Sequence, residues 1–221
     1  MNRLPSPEKM ATRETADLRL VMAGYAGYAG TGILAEAYAD RLKEHLPAWL
    51  IEEAASFRAE AGPAAEKAVR AGEQFALRQQ APGMDCLAEG KESLAAPGMV
   101  YRAGDGGILA ALWLFAEQFH LGMDIVLRRI PIRQETVEIC EILDVNPYQL
   151  YAKGAVLIGT CRCGALLEEL ESRGVMAADI GRIFPGSVRR ILHDDTPGYL
   201  NVPRRIDEMR EGTVQALLRG I

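Results

Sequence analysis

The chain has 221 residues, 25 Lys and Arg against 30 Asp and Glu, a formal net charge of −5, and 49% hydrophobic and 25% charged residues. That length holds one large domain or two small ones around a substantial interior. The acidic balance excludes nucleic acid as the main partner, because duplex binding needs a cationic footprint.

The basic residues are dispersed, and the pairs Arg128-Arg129, Arg189-Arg190 and Arg204-Arg205 read as solvated element ends rather than a patch. No run nears the roughly 18 apolar residues of a membrane span. The N-terminus, with Pro5 and Pro7, lacks the apolar stretch of a signal peptide. Cys86, Cys140, Cys161 and Cys163 follow no scaffold spacing and are expected as reduced thiols. These features point to a cytoplasmic protein that does not associate with membranes.

Residues 1–16 are polar and read as a flexible arm, and residues 17–221 as one domain. Leu18–Ala23 is a short apolar run expected as a buried strand. A glycine-rich turn, Gly24–Gly32, leads into a helix from Ile33 to Glu44. Pro47 suits the first turn of a second helix reaching Ala59. Gly62-Pro63 is expected to separate that helix from an alanine-rich one ending near Gln79. Residues 81–98, rich in Gly and Pro, read as a surface connection.

Helices are then expected over Ile108–His120, Gln134–Leu143 and Ala165–Arg173, and strands over Met123–Leu127 and Ala155–Thr160. Val175–Ile183 and Val188–Leu192 read as strands in a hairpin-like connection through Pro185-Gly186. Ile206–Leu218 reads as a terminal helix. Helices and strands alternate for most of the length, so the expected class is α+β, a layered α/β arrangement.

Several segments carry possible chemistry. The Gly24–Gly32 turn either offers backbone N–H groups to a phosphate or substrate or serves as a strand-to-helix connection whose glycines permit positive φ. It runs G-x-x-G-x-x-G-x-G without the Lys-Ser/Thr of a P-loop. Tyr25 and Tyr28 either line such a pocket or cap the core. Asp105, ahead of Gly106-Gly107 and a helix, suits capping of backbone amides. Cys161-Arg162-Cys163 lacks the second ligand pair that zinc wants and reads as a loop. His45, His120 and His193 are scattered, with His120 at a helix C-terminus, where a cation is favourable. His193-Asp194-Asp195 reads as an exposed turn. The candidate ligand-binding residues are Gly27, Gly30, Thr31, Gly32, Asp105, Gly106 and Gly107; no catalytic or metal-binding residue is assigned.

Asp105–Leu112, Ile130-Pro131-Ile132-Arg133, Leu143–Tyr148 and Gly154–Gly159, in this order and spacing, resemble the C-terminal domain of the aminoimidazole ribonucleotide (AIR) synthase-related superfamily. The similarity is greatest to its hydrogenase-maturation carbamoyl dehydratase branch. Gly27–Ala35, Leu166–Gly174, Ala178–Ile183 and Pro203 extend the resemblance over roughly residues 17–210. It implies a mixed β-sheet with helices packed on it.

In the superfamily an N-terminal half supplies much of the dimer core, the Mg²⁺ carboxylates and most of the ATP site. Nothing ahead of Leu18 is long enough to be that half. The resemblance therefore implies an accessory or split component of hydrogenase-maturation-like, ATP-dependent chemistry, not catalytic by itself. Mg-ATP would enter only through a separately encoded ATP-binding half, and such a half or a homodimer is the expected partner. An exposed apolar sheet face is the expected docking surface. The other readings are a stand-alone small-molecule-binding or interaction module without catalysis, and a piece of a full-length enzyme. Tyr101 and Arg102 stand where relatives carry His and Asp, which argues against metal coordination there. No cysteine follows Cys163, so the reactive terminal cysteine of the carbamoyl dehydratases has no counterpart in this sequence.

Overall fold

The computed structural model describes residues 18–79, 99–193 and 196–203. The apolar run after Leu18 forms β1 (Arg19–Ala23), in which Leu20, Val21, Met22 and Ala23 are fully buried. A strand covered on both faces needs apolar residues in succession, which is why the run does not alternate.

After β1 come α1 (Tyr28–Ala37), α2 (Ala39–Lys43), α3 (Ala48–Gln79), β2 (Met99–Arg102), α4 (Gly107–Phe119) and β3 (Leu121–Val126). A 3-10 turn at Leu127–Arg129 leads to α5 (Gln134–Leu143), β4 (Val156–Thr160), α6 (Cys163–Ser172), β5 (Ala177–Pro185), β6 (Arg189–His193) and β7 (Thr196–Tyr199). The seven strands form one sheet in the order β2-β4-β1-β5-β3-β6-β7. The β3–β6 pair is parallel and the others are antiparallel. This is the mixed sheet with packed helices that the sequence implied.

Alternation along the strands sorts side chains to two layers. Leu20, Met22, Leu157, Met123 and Ile125 pack with Ile108, Leu112 and Phe115 of α4. Val21, Ala23, Val156 and Ile158 face the other way, onto Ala68, Val69 and Phe75 of α3 and Leu166 and Leu170 of α6. A third cluster joins α1, α2, α5 and the first half of α3 through Leu34, Leu42, Phe57 and Ile139.

Several expectations are corrected. α1 begins at Tyr28 rather than Ile33, with Gly27 at its N-cap in the left-handed region (φ 67°), so Gly30, Thr31 and Gly32 are helical. Gly62-Pro63 does not break the chain: α3 runs for 32 residues with Pro63 inside it. Pro63 and Ala59, whose carbonyl loses its helical donor, both lie on the exposed face, where water can satisfy the carbonyl. The opposite face, through Ala54, Phe57, Ala61, Ala65 and Ala68, stays buried across the proline.

β5 and β6 are not a hairpin, because β3 lies between them and pairs with both. The edge strands β2 and β7 were not expected. Gly106, not Asp105, holds the N-cap of α4, at φ 72° and without a side-chain cap bond. The backbone makes that turn through Gly107 N–H donating to Gly104 O at 3.3 Å, and Asp105 stays exposed. Cys161 is disulfide-bonded, against the expected reduced thiol, while Cys140 keeps its thiol. The 1–16 arm, Cys86, the 81–98 connection, Asp194-Asp195, Arg204-Arg205 and the 206–218 helix lie outside the described residues. No helix among the described residues is long and apolar enough to cross a membrane.

Candidate functional site

The sequence motifs converge on the start of α1. Ala26 N–H donates to Pro131 O at 2.9 Å, Gly30 N–H to Tyr151 O at 2.9 Å, and Ala29 N–H to Lys153 O at 3.3 Å. A Cβ on Gly24 would stand 2.3 Å from Gly154 O, and one on Gly30 2.4 Å from Leu150 Cγ. On Gly32 it would stand 2.6 Å from the Arg58 backbone nitrogen. Thr31 is fully buried; its hydroxyl donates to Gly27 O at 2.8 Å and shares a hydrogen bond with Thr136 Oγ1 at 2.8 Å. The first amides of α1, the groups that favour an anion at a helix start, are thus engaged by protein carbonyls.

Arg133, at the end of the Ile-Pro-Ile-Arg turn, binds Glu135 and Glu53. Its guanidinium lies 5.7 Å from the Tyr25 ring centre and 5.3 Å from that of Phe57. Tyr28 stacks on Phe57 at 4.4 Å and donates its hydroxyl to Glu60 at 2.7 Å. Burial and that carboxylate hold the Tyr28 phenol well above its ordinary range. Tyr25 and Tyr28 therefore close the junction of α1, α3 and the turn.

A cavity of about 1030 Å³ opens beside the first turns of α4. Gly106, Leu109 and Ala110 form one wall and Asp144–Asn146 with Tyr148–Leu150 a second. Leu127, Ile191 and the Tyr199–Pro203 segment complete it. The Asn146 carboxamide oxygen accepts Tyr148 N–H at 3.0 Å, which shapes the loop and leaves the side-chain NH₂ as a donor. Of the candidate site residues, Gly106 lines this cavity and Asp105 precedes it. Partial burial pushes the Asp105 carboxyl up from its usual value, and its charge, after burial, helps raise the neighbouring Tyr151 phenol. Gly107 lies behind the loop: a Cβ there would meet Tyr148 O at 2.4 Å.

On the sheet face opposite α4, register lines up Tyr199, Arg190, Asp124, Arg182, Arg19 and Thr160 across β7, β6, β3, β5, β1 and β4. Asp124 is 5% exposed and accepts hydrogen bonds from both Arg182 and Arg190, with its carboxyl held below the usual range chiefly by Arg190. Arg182 and Arg190 stay 56% and 37% exposed. Arg19 pairs with Asp179 at 2.6 Å, and Arg129 lies 3.8 Å from the same carboxylate. This exposed part of the sheet is charged, not the apolar docking face expected. Arg189 also departs from the solvated-end reading. Its side chain is 10% exposed, paired with Glu117 at 2.7 Å and stacked 4.1 Å from the Trp113 ring centre.

Tyr101 and Arg102 lie on β2, where Arg102 pairs with Glu66 of α3 at 2.5 Å. His120 caps the end of α4 at φ 53°. Among the described residues no group of three His, Cys, Asp or Glu side chains gathers as a metal site. Sequence reasoning missed the cavity walls and the Asp124 cluster. The signal for the cluster was a single acid inside the apolar strand Leu121–Val126, since a buried carboxylate demands cationic partners.

Solved structures share this fold. Escherichia coli HypE, a hydrogenase maturation protein, superposes with a TM-score of 0.55 at 20% identity, covering 89% of this chain and 52% of HypE. HypE in a complex with HypF gives 0.53 at 16% identity, covering 84% and 52%. HypE in complex with ATP gives 0.51 at 13%, covering 87% and 52%. The chain thus spans about half the length of the HypE structures it matches. No family model matches the sequence, and no curated protein matches it.

Proposed function

We propose that this chain is the C-terminal, substrate-side half of a two-component, ATP-dependent assembly of the HypE type, accessory to hydrogenase-maturation-like chemistry. A separate polypeptide supplies the ATP-binding half. The observation that carries this reading is coverage: 89% of this chain superposes on only 52% of HypE, and a HypE structure holds ATP. In this reading Mg-ATP chemistry belongs to the other half. The partly exposed Arg182 and Arg190 on the open sheet face supply a polar rather than apolar docking surface. Residues 17–221 act as one cytoplasmic domain behind the 1–16 arm.

The cavity, lined by residues of this chain, favours a second reading: a stand-alone small-molecule-binding module, monomeric or homodimeric. The two are separated by titrating MgATP into the purified chain, alone and mixed with the product of a neighbouring ATP-binding reading frame. The split reading expects saturable binding only when that half is present, together with a stoichiometric complex. Saturable, Mg²⁺-dependent binding by the chain alone, or failure of the halves to associate, contradicts it.

A further inference from the structure

We propose that the cavity beside α4 binds an amine-bearing organic cation with an apolar body and discriminates against anionic ligands. This goes beyond the split-assembly reading and does not rest on it, because the described lining belongs to this chain. Its size suits a small molecule.

Three observations set the charge preference. The described lining includes no Lys, Arg or His, and its one acidic side chain is Asp144, with Asp105 next to the Gly106 wall. Tyr148 lines it as well, and aromatic faces attract cations. The start of α4 is the natural seat for an anion. There, however, Gly107 N–H donates to Gly104 O at 3.3 Å and Leu109 N–H to Tyr148 O at 3.3 Å. An anion would therefore meet a carboxylate and find these two amides already engaged.

The body of the ligand follows from the remaining walls. Leu109, Leu127 and Ile191 offer apolar area, while Asn146 and Asn201 place carboxamides at the same opening. A ligand with a ring or chain, one ammonium and a few hydrogen-bonding groups matches this lining. A nucleotide phosphate does not.

The test uses tryptamine and indole-3-acetate, which share an aromatic body and carry opposite charge, followed by amide NMR on the full chain. Tryptamine is expected to shift resonances of residues 144–150 and 199–203 saturably. Reversing a unit charge about 6 Å from an exposed carboxylate changes affinity by about tenfold, so indole-3-acetate should bind about tenfold more weakly. Asp144→Asn should remove most of that difference. Asp144 sits at φ 56°, a conformation asparagine tolerates, so the variant is expected to fold, and an unchanged melting temperature verifies it.

Equal or tighter binding of indole-3-acetate overturns the proposal and would direct attention to Arg204 and Arg205, which follow Pro203 in the sequence. So does the absence of saturable shifts with tryptamine at millimolar concentration, or shifts confined to other residues. An Asp144→Asn variant that keeps the full discrimination overturns it too.

Discussion

Replacing Gly107 by alanine distinguishes a packing glycine from one kept open for a ligand. Gly107 has φ 72°, and a Cβ there would stand 2.4 Å from Tyr148 O and 2.5 and 2.6 Å from Gln149 C and Cα. Left-handed backbone costs an L-residue roughly 1–2 kcal/mol. The close atoms are main chain rather than the tip of a flexible side chain, so the 144–150 loop must move, at about 1–3 kcal/mol for overpacking. Against this stands a helix-propensity gain of at most about 1 kcal/mol. The net loss is about 1–5 kcal/mol.

Gly164→Ala is the control: it lies in the first turn of α6 with open space around its Cβ, and should gain up to about 1 kcal/mol. Urea unfolding followed by circular dichroism reads both as changes in midpoint at constant slope. If Gly107→Ala unfolds within about 0.5 kcal/mol of the parent, the loop does not press on this glycine and the packing explanation of the motif fails.

Pro63→Ala should stabilise the chain by about 1–3 kcal/mol, since it restores a mid-helix N–H on the exposed face of α3; a melting temperature that falls would show the helix needs the proline. Asp124→Asn should destabilise by about 1–3 kcal/mol at pH 7. Because the folded carboxyl titrates below its usual value, its stabilisation is full above an unfolded pKa of about 3.9 and fades as pH falls through the folded value. The parent and variant stability curves should accordingly converge in acid, and a gap independent of pH contradicts this. Burial pushes the Cys140 thiol up to about 12, so iodoacetamide at pH 8 should leave it unmodified in the native protein and label it in urea. Rapid native labelling, read by peptide mass spectrometry, would contradict its burial.

Much of the architecture was legible because burial leaves simple traces. The apolar runs of β1 and β4 and the helical period of α5 announced themselves, and the Gly24–Gly32 turn announced glycines with positive φ, found at Gly24 and Gly27. The ends of elements were harder. β2 and β7 are four-residue edge strands, and pairing with a neighbour, not their own sequence, makes them strands. Pro63 looked like a stop because the local rule omits the buried stripe on the far side of α3.

The candidate site was legible only in part, for a different reason. Gly106 lines the cavity, but its remaining walls come from segments separated by up to about a hundred residues. The glycines of α1 were recognisable as special, while the partners that fill the space over Gly30 and Gly32, Leu150 and Arg58, are visible only in three dimensions. Arg190 read as a solvated element end until β3 brought Asp124 between it and Arg182.

The central claim, that ATP binding belongs to a second polypeptide, is tested most directly by calorimetric titration of MgATP into the full chain with and without its complementary half. The account expects no saturable heat from the chain alone and one site per complex on mixing. Saturable, Mg²⁺-dependent binding to the isolated chain would contradict it.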